Sequence, residues 1–427
     1  PLVKGVRGTS NKEHIPENLV KGILRSIHDI YVNKDGTTRY DMTEMALTHF
    51  RPSEIRTPVE KLKELGYNPD IYGEELTRDD QILELKAQDI VLPAAPDSPD
   101  EGADVILFKV TKFIDDLLEK FYGVEKFYNL KTRLDLVGHM AIGLSPHTCA
   151  GIVCRIIGFS KMQGLVAHPY LHSIMRRDCD GDEAGVMLMM DALLNFSRKL
   201  LGGHRGATQD EPLVLTSHLL PTEVDDQVYS MGIAWEYPLE FYEACEKYKY
   251  PWDVKVDTVQ TNIDKGKPYS GFGFTHNTRD INAGVLCSSY KLLPTMKEKV
   301  DGQMYLATKL RSADRDDVAR LVIERHFIRD LKGNLRKFSM QQFRCVDCNE
   351  KFRRPPLVGK CTKCGGRLLF TISEGSVTKY LLHILFLAKQ YNLPHYSQQS
   401  IEILNQRVES VFGKDPEKQE DLGKWFG

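Results

Sequence analysis

The chain has 427 residues, of which 41% are hydrophobic and 27% charged, and its formal net charge at pH 7 is −2. This composition is typical of a globular protein of two to three domains, and it excludes collagen-like and wholly disordered chains. No apolar run approaches the roughly 18 residues of a membrane-spanning helix, so we expect no membrane partner.

The chain start and the cysteines bear on where the protein works. Pro1 to Arg7 is typical of mid-chain sequence and contains no secretion signal, which predicts a fragment of a longer protein. The nine cysteines are an odd number in a chain of this length, which argues against a disulfide framework. A reducing, cytoplasmic location is therefore expected.

The order of elements predicts an α+β multidomain chain. Apolar residues at helical spacing predict an amphipathic helix over Thr111–Tyr122, and branched residues with glycines predict short strands over Leu134–Arg177. Gly185–Leu200 is predicted as an apolar helix. The predicted regions are 1–92 (α/β), 93–103 (loop), 104–220 (strand-rich, with an acidic loop), 221–340 (mixed α/β and helical), 341–370 (cysteine module), 371–412 (C-terminal helices) and 413–427 (tail).

The most distinctive motif is the acid loop, residues 178–183, with the sequence Asp-Cys-Asp-Gly-Asp-Glu. The stretch before it, from Leu136 to Arg177, contains no acidic residue and ends in two arginines, Arg176 and Arg177. Carboxylates in a tight loop can direct their oxygens into one site, which suits Mg²⁺, and two such ions can clamp both oxygens of a phosphoryl displacement. The pattern predicts a magnesium site, with the arginines offsetting phosphate charge.

A solvated acidic turn and a calcium loop are the alternatives for the acid loop. The EF-hand pattern requires glycine after the third Asp and glutamate at the twelfth position, whereas Gly181 precedes the third Asp and the twelfth residue is Met189. The calcium interpretation is therefore disfavoured. The basic, acid-free stretch before the loop favours a metal site over a surface turn.

A second motif is the cysteine module, in which Cys345-x-x-Cys348 is followed after twelve residues by Cys361-x-x-Cys364. Two such pairs supply four thiolates to one Zn²⁺ at about 2.3 Å, and a site with four protein ligands is structural. A redox CxxC pair is the alternative.

The cysteine module lies in a strongly basic stretch. Between Leu331 and Phe370 there are ten Lys and Arg against two acidic residues, a local charge of +8. Such a patch predicts salt-dependent binding to the phosphates of a nucleic-acid duplex or template strand, without reading of base sequence. The candidate phosphate-binding residues here are Arg336, Lys337, Arg353 and Arg354.

The polar tail ends in a short amphipathic motif, Gln419-x-x-Leu422-x-x-Trp425-Phe426. One helical turn would place the leucine and both aromatics on one face, which suits an apolar pocket on a partner. The alternative is an aromatic pair folded back on its own domain.

Taken with its flanks, the acid loop resembles the large subunit of the archaeal D-family replicative DNA polymerase. The flanks are His168-Pro169-Tyr170 before the loop and Leu193 to Ser197 after it. That subunit is much longer, and the chain is similar to its C-terminal third. Further matching segments are dispersed along the chain and include Pro1 to Gly5, Pro212 to Thr216, Phe274 to His276 and Gly333 to Arg336.

The resemblance implies a two-barrel polymerase fold, in which a double-psi β-barrel within 104–220 contains the acid loop and faces a second barrel upstream. The family's catalytic carboxylates correspond to Asp180 and Asp182, which would hold two Mg²⁺ ions. Asp178 stands where the family usually has asparagine, so its role as a third catalytic ligand stays open. Arg205 lies in a shared stretch, where it could reach a triphosphate or belong to a surface loop.

The implied activity is template-directed DNA synthesis by a DNA-directed DNA polymerase, which adds dNTPs to a primer. The family works with a small subunit that contains a 3′–5′ exonuclease, and the tail motif resembles a sliding-clamp interaction motif. Two alternatives remain at this point. One is a non-catalytic fragment that binds DNA and recruits the clamp, and the other is an RNA-polymerase-like two-barrel enzyme, which Asp178 suggests.

Overall fold

The computed structural model describes residues 6–8, 17–146, 148, 150–197, 213–273, 280–370 and 372–413. The chain divides into two compact units, Pro1–Leu292 and Leu293–Gly427, and the division falls inside the region predicted over 221–340. In the part of the chain that the structure describes, no helix combines the length and the hydropathy of a membrane span.

Six strands of the first unit close a β-barrel. Hydrogen bonds join them in the order β4-β7-β1-β8-β5-β6, and β6 pairs again with β4. Strand β9 extends the sheet from β6, and β2 and β3 form a separate two-stranded sheet. The strands are β1 (Tyr40–Ala46), β2 (His49–Phe50), β3 (Leu83–Glu84), β4 (Asp89–Pro93), β5 (Met140–Leu144), β6 (Ala150–Ser160), β7 (Gly164–Ala167), β8 (Glu183–Leu188) and β9 (Val214–Thr216).

The barrel mixes parallel and antiparallel pairing. β1 runs parallel to β7 and β4 runs parallel to β6, whereas the other four pairs are antiparallel. The expected α+β class and the short strands predicted over 134–177 are confirmed. Two barrel strands, β1 and β4, come from the region predicted over 1–92, because strands that close a barrel need not be neighbours in sequence.

The helix predicted over Gly185–Leu200 is wrong in its first part. Residues Glu183–Leu188 form strand β8, whose apolar side chains from Ala184 to Leu188 are fully buried. Within the described part of the predicted range, which ends at residue 197, the helix runs over Met189–Asn195. A short, continuous apolar run does not distinguish a buried strand from a buried helix by its periodicity. The pairing of β8 with both β1 and β5 decides the outcome.

The main core lies between the barrel and helix α3 (Ala103–Leu117). Residues such as Leu107, Val110, Phe113 and Leu117 follow helical spacing and are fully buried, which confirms the amphipathic helix and extends it towards Ala103. The chain continues as one π-helical segment over Leu118–Tyr122. The α-helices of the first unit are α1 (Leu19–His28), α2 (Val59–Glu64), α3 (Ala103–Leu117), α4 (Pro169–Ile174), α5 (Met189–Asn195), α6 (Leu239–Glu246), α7 (Val259–Asp264) and α8 (Ser289–Leu292).

Gly158 in β6 permits a close approach of backbone segments. A Cβ atom at this position would lie 2.6 Å from the Ile55 carbonyl oxygen and 2.8 Å from Thr57 Oγ1. We therefore expect Gly158→Ala to lower the free energy of unfolding by about 1–3 kcal/mol, as overpacking in cores does. Chemical denaturation measures the change. Gly284→Ala is the control, since no atom of the described residues lies within 4 Å of its added Cβ. An equal loss in both variants would contradict the explanation.

The second unit has a helical core of its own and a small three-stranded sheet. Buried residues such as Ile323, Leu331, Ile384 and Leu404 form this core. The sheet has the order β11-β10-β12 and is antiparallel. Its elements are α9 (Met296–Lys309), α10 (Arg315–Val322), a π-helical segment (Ile323–Phe327), α11 (Ile328–Met340), β10 (Phe343–Cys345), β11 (Lys351–Phe352), β12 (Leu368–Phe370), α12 (Glu374–Thr378), α13 (Leu381–Gln390) and α14 (His395–Phe412).

Candidate functional site

The acid loop connects helix α4 to barrel strand β8. Pro169 occupies the first turn of α4, and the helix ends where Arg176 adopts a left-handed conformation with φ of 60°. The N–H of Arg177 then donates to the His172 carbonyl at 3.2 Å, a bond typical of a Schellman motif. Gly181, with φ of 104°, makes the second reversal before β8 begins.

The carboxylates of the acid loop lie at the surface of the first unit. Asp180 is exposed, whereas Asp178 and Asp182 are partly exposed. Asp182 Oδ2 lies 3.6 Å from Arg177 Nη1, so one predicted phosphate-binding cation is adjacent to one predicted metal ligand. Arg176 points elsewhere and contacts Asp225 at 3.8 Å, with 70% of its side chain exposed.

The donor set of the acid loop suits Mg²⁺ in its chemistry, since it supplies carboxylate oxygens. The three aspartates do not converge tightly in this structure. Within the described ranges, the four cysteines are the one group of three or more possible ligands whose donor atoms all lie within 4.8 Å of one another. The assignment of Asp178, Asp180 and Asp182 to a metal therefore stays a prediction.

Behind the acid loop lies a buried polar layer. Glu44 of β1 and His172 of α4 have side chains that are 1% and 0% exposed, and Glu44 Oε1 approaches His172 Nδ1 to 3.2 Å. His168 packs between Tyr170 and Phe272, and burial lowers the pKa of His168 to about 3. The neutral imidazole of His168 is thus a core group.

Glu44 is the residue that sequence reasoning missed. It lies far from the acid loop in sequence, although its N–H donates to the Asp182 carbonyl at 2.8 Å. One feature of the chain could have indicated that Glu44 is unusual. Strand β1 buries alternate residues, Met42 and Glu44, so an acidic residue stands at an inward position of the strand.

The four cysteines of the second unit form the cluster that their spacing predicts. Cys345 Sγ lies 3.4 Å from Cys364 Sγ, and Cys348 Sγ lies 3.6 Å from Cys361 Sγ. Burial acts to raise the pKa of the Cys361 thiol, but the N–H groups of Cys364 and Lys363, with the neighbouring thiols, lower it to about 7. Four sulfurs at this separation fit a tetrahedral zinc ion.

Both CxxC turns have the same local geometry. The residue after each pair, Asn349 or Gly365, has a positive φ and donates its N–H to the carbonyl of the first cysteine. Asparagine and glycine tolerate the left-handed conformation better than other residues do. The two turns therefore present their sulfurs in equivalent ways.

The predicted phosphate-binding residues of the second unit fall into two groups. Arg336 and Lys337 of α11 line a cavity of about 800 Å³, together with Arg344 and Lys351 of the small sheet. None of the described residues that line this cavity is acidic. Arg353 and Arg354 follow β11 and are exposed, but they do not line it. We call this cavity the basic groove.

Other predicted site residues lie outside the described part of the chain. They are Arg205 and the tail residues Gln419, Leu422, Trp425 and Phe426. The triphosphate contact and the clamp-binding motif stay predictions.

The fold and site define a mixed α+β protein with a closed six-stranded β-barrel, an acidic loop on that barrel and a four-cysteine cluster that suggests a zinc site. Comparison with known proteins defines the family. The protein-family model described as "DNA polymerase II large subunit DP2, catalytic domain" matches residues 1–299. The chain therefore belongs to this family. The resemblance found in the sequence is thereby confirmed.

Curated relatives match along nearly the whole chain. The DNA polymerase II large subunit of Archaeoglobus fulgidus is 49% identical over 419 residues, which cover 98% of this chain and 36% of the relative. That of Methanocella arvoryzae is 47% identical over 428 residues, covering 100% and 37%. That of Nanoarchaeum equitans is 48% identical over 437 residues, covering 99% and 35%. The chain thus spans little more than a third of the length of these relatives.

Proposed function

We propose that this chain provides the catalytic carboxylates of a replicative DNA-directed DNA polymerase. The observation that supports the proposal is the acid loop on the closed barrel, inside the segment matched by the DP2 catalytic-domain family. The substrates would be a DNA primer-template and dNTPs. The loop leads directly into a barrel strand, β8, and this attachment suits catalysis because active-site groups need fixed positions.

In the proposed reaction, the primer 3′-hydroxyl gives up its proton to water, and its oxygen forms a bond to the α-phosphorus of the dNTP. The bond from that phosphorus to the bridging oxygen breaks, and pyrophosphate leaves. Asp180 and Asp182 would hold two Mg²⁺ ions, whose chemistry when bound is to stabilise charge on the attacking and leaving oxygens. Asp178 is proposed as a third acidic group of the site. Arg177, adjacent to Asp182, supplies positive charge for the triphosphate, and Arg176 and Arg205 are further candidates.

We also infer that the six-stranded barrel is of the double-psi type and faces a second barrel supplied by the rest of the large subunit. The mixed parallel and antiparallel pairing supports this assignment. The relatives extend well beyond the matched segment, which leaves room for that barrel.

Primer extension tests the proposal and separates it from an RNA-polymerase-like activity. The sample is the full-length large subunit with its small subunit, supplied with either dNTPs or rNTPs. Extension with dNTPs is expected. A preference for rNTPs would favour the RNA-polymerase-like alternative, and template binding without extension would favour a non-catalytic DNA-binding fragment.

The second unit is proposed to bind DNA through its backbone. The four cysteines would hold a structural zinc ion, and both the basic groove and the exposed Arg353 and Arg354 would contact phosphates. The absence of acids from the lining of the groove supports an anionic ligand. Contacts of this kind position a duplex without reading its sequence.

Loss of two groove cations should change the salt dependence of DNA binding. Each phosphate contact contributes about 0.9 to the slope of log K against log salt concentration. We expect Arg336→Gln combined with Lys337→Gln to reduce the magnitude of that slope by about 1.8 in the polymerase complex. Fluorescence anisotropy over a salt series measures it. Lys265→Gln, which removes a cation paired with Asp257 at 3.0 Å, is the control, and an equal change in both would contradict the groove assignment.

The remaining partners are proposed from the family. The small subunit would contribute the 3′–5′ exonuclease, and the tail motif at Trp425 and Phe426 would bind a sliding clamp. A reducing location in the cytoplasm is also proposed. The eight cysteines in the described part of the chain are free thiols, which supports it.

A further inference from the structure

The two ends of the acid loop are held by main-chain bonds to two particular residues. At the start of the loop, the N–H of Arg177 donates to the His172 carbonyl at 3.2 Å. At its end, the Asp182 carbonyl accepts the N–H of Glu44 at 2.8 Å. The distance between residues 172 and 44 therefore sets how far apart the loop ends lie.

These same two residues contact each other through their side chains. Glu44 Oε1 lies 3.2 Å from His172 Nδ1, and both side chains are essentially inaccessible to solvent. The contact joins α4, which precedes the loop, to β1, which pairs with the strand β8 that follows the loop. Together with the Arg177–Asp182 pair at 3.6 Å, it completes a ring of contacts through Glu44, His172, Arg177 and Asp182.

A contribution to folding stability does not by itself explain the Glu44–His172 contact. Among the residues that the structure describes, neither Glu44 oxygen nor either His172 nitrogen has a hydrogen-bond partner, although all four atoms are buried. Burying polar groups without hydrogen bonds is unfavourable, and replacing a buried ionic pair by apolar residues is often neutral or stabilising. Apolar side chains would fill this place at a lower free-energy cost. The pair therefore calls for an explanation other than packing.

We propose that Glu44 and His172 form a brace that fixes the span of the acid loop and so positions Asp180 and Asp182. Both are positioning residues, because they act through main-chain bonds at the loop ends. The inference rests on the proposed catalytic role of the acid loop. It assigns to β1 a part in the active site that the acid loop alone does not reveal.

The decisive variant replaces the brace by an apolar pair, Glu44→Met with His172→Leu, in the full-length large subunit bound to its small subunit. The free energy of unfolding is expected to stay equal or to rise. The kcat for dNTP incorporation is expected to fall about 10–100-fold, the usual effect of losing groups that orient metal ligands. The KM for dNTP should stay the same, because the brace touches no substrate.

Two further readouts do not depend on activity. Mn²⁺ binding, followed by electron paramagnetic resonance, should weaken about 10–100-fold in the apolar variant. Hydrogen exchange at the Glu44 amide should accelerate relative to the amides of β5, because the bond to the Asp182 carbonyl is loosened.

Glu44→Gln keeps the shape and an acceptor oxygen, so partial recovery of kcat is expected.

Asp89→Asn is the matched control. Asp89 forms a largely buried ion pair with Arg155 at 2.7 Å on the same barrel, but it has no bond to the acid loop. The Asp89→Asn substitution should lower the free energy of unfolding and leave kcat per folded molecule unchanged.

The brace is overturned if the apolar variant keeps its kcat, its Mn²⁺ affinity and its slow Glu44 exchange. Losses that merely follow the folded fraction would also overturn it. A different result would contradict the proposed function, namely DNA synthesis that persists when Asp180 and Asp182 are replaced. In that case accelerated Glu44 exchange in the apolar variant would still report a brace.

Discussion

Replacing Asp180 and Asp182 together by alanine is expected to lower DNA synthesis by the large subunit–small subunit complex at least about 10³-fold, since single groups that stabilise developing charge contribute about 10²–10³. The fold should survive. Asp180 is exposed, and Asp182 loses only a partly exposed contact with Arg177, so the free energy of unfolding should change by less than about 1 kcal/mol. Single-turnover primer extension measures the rate, and thermal unfolding measures the stability.

Glu183→Gln is the matched control for this experiment. Glu183 is an exposed acid of the same loop, next to Asp182, and it has no place in the proposed reaction. Its substitution removes one negative charge from the loop and should leave synthesis within about twofold of the wild-type rate, since exposed surface changes have small effects. A large loss in this variant would show that overall loop charge, rather than two particular ligands, supports synthesis.

Removal of zinc is expected to unfold the cysteine module. Metal analysis should find about one zinc per chain, and Cys361→Ser should abolish it, because a structural site needs all four ligands. Apparent binding free energies of about 10–16 kcal/mol are typical of structural zinc in zinc-finger peptides, so the small sheet should not persist without metal. DNA binding that depends on the basic groove should fall with it.

Cys245→Ser is the control for the zinc experiment. Cys245 is an exposed free thiol of α6, outside the four-cysteine cluster, so its loss should leave the zinc content unchanged. Zinc retained by Cys361→Ser, or lost equally from both variants, would contradict the structural assignment.

Local patterns predicted the elements that depend on neighbours in sequence. The helical spacing of Phe113, Ile114 and Leu117 predicted α3, since one face of that helix is buried. The CxxC spacing predicted the cysteine cluster, because each turn is completed within four residues. The carboxylates of the acid loop stood out for the same reason.

Features that depend on long-range pairing could not be predicted in this way. Closure of the barrel pairs Asp89 with Arg155, and no local pattern specifies that contact. The helix predicted over Gly185–Leu200 is wrong from Gly185 to Leu188, because burial on both faces removes the alternation that marks a strand. Glu44 reaches the acid loop only through the barrel, so its place beside Asp182 depends on the pairing of β1 with β8.

Metal-directed cleavage of the chain tests the central claim, that the acid loop is the catalytic metal site, most directly. Fe²⁺ replaces Mg²⁺ in the polymerase complex with primer-template, and hydroxyl radicals produced with peroxide cut the chain near the bound ion. Mass spectrometry locates the cuts. We predict cleavage centred on residues 178–183, abolished by Asp180→Asn with Asp182→Asn. Cleavage elsewhere in the chain, or unchanged cleavage in that variant, would contradict the account.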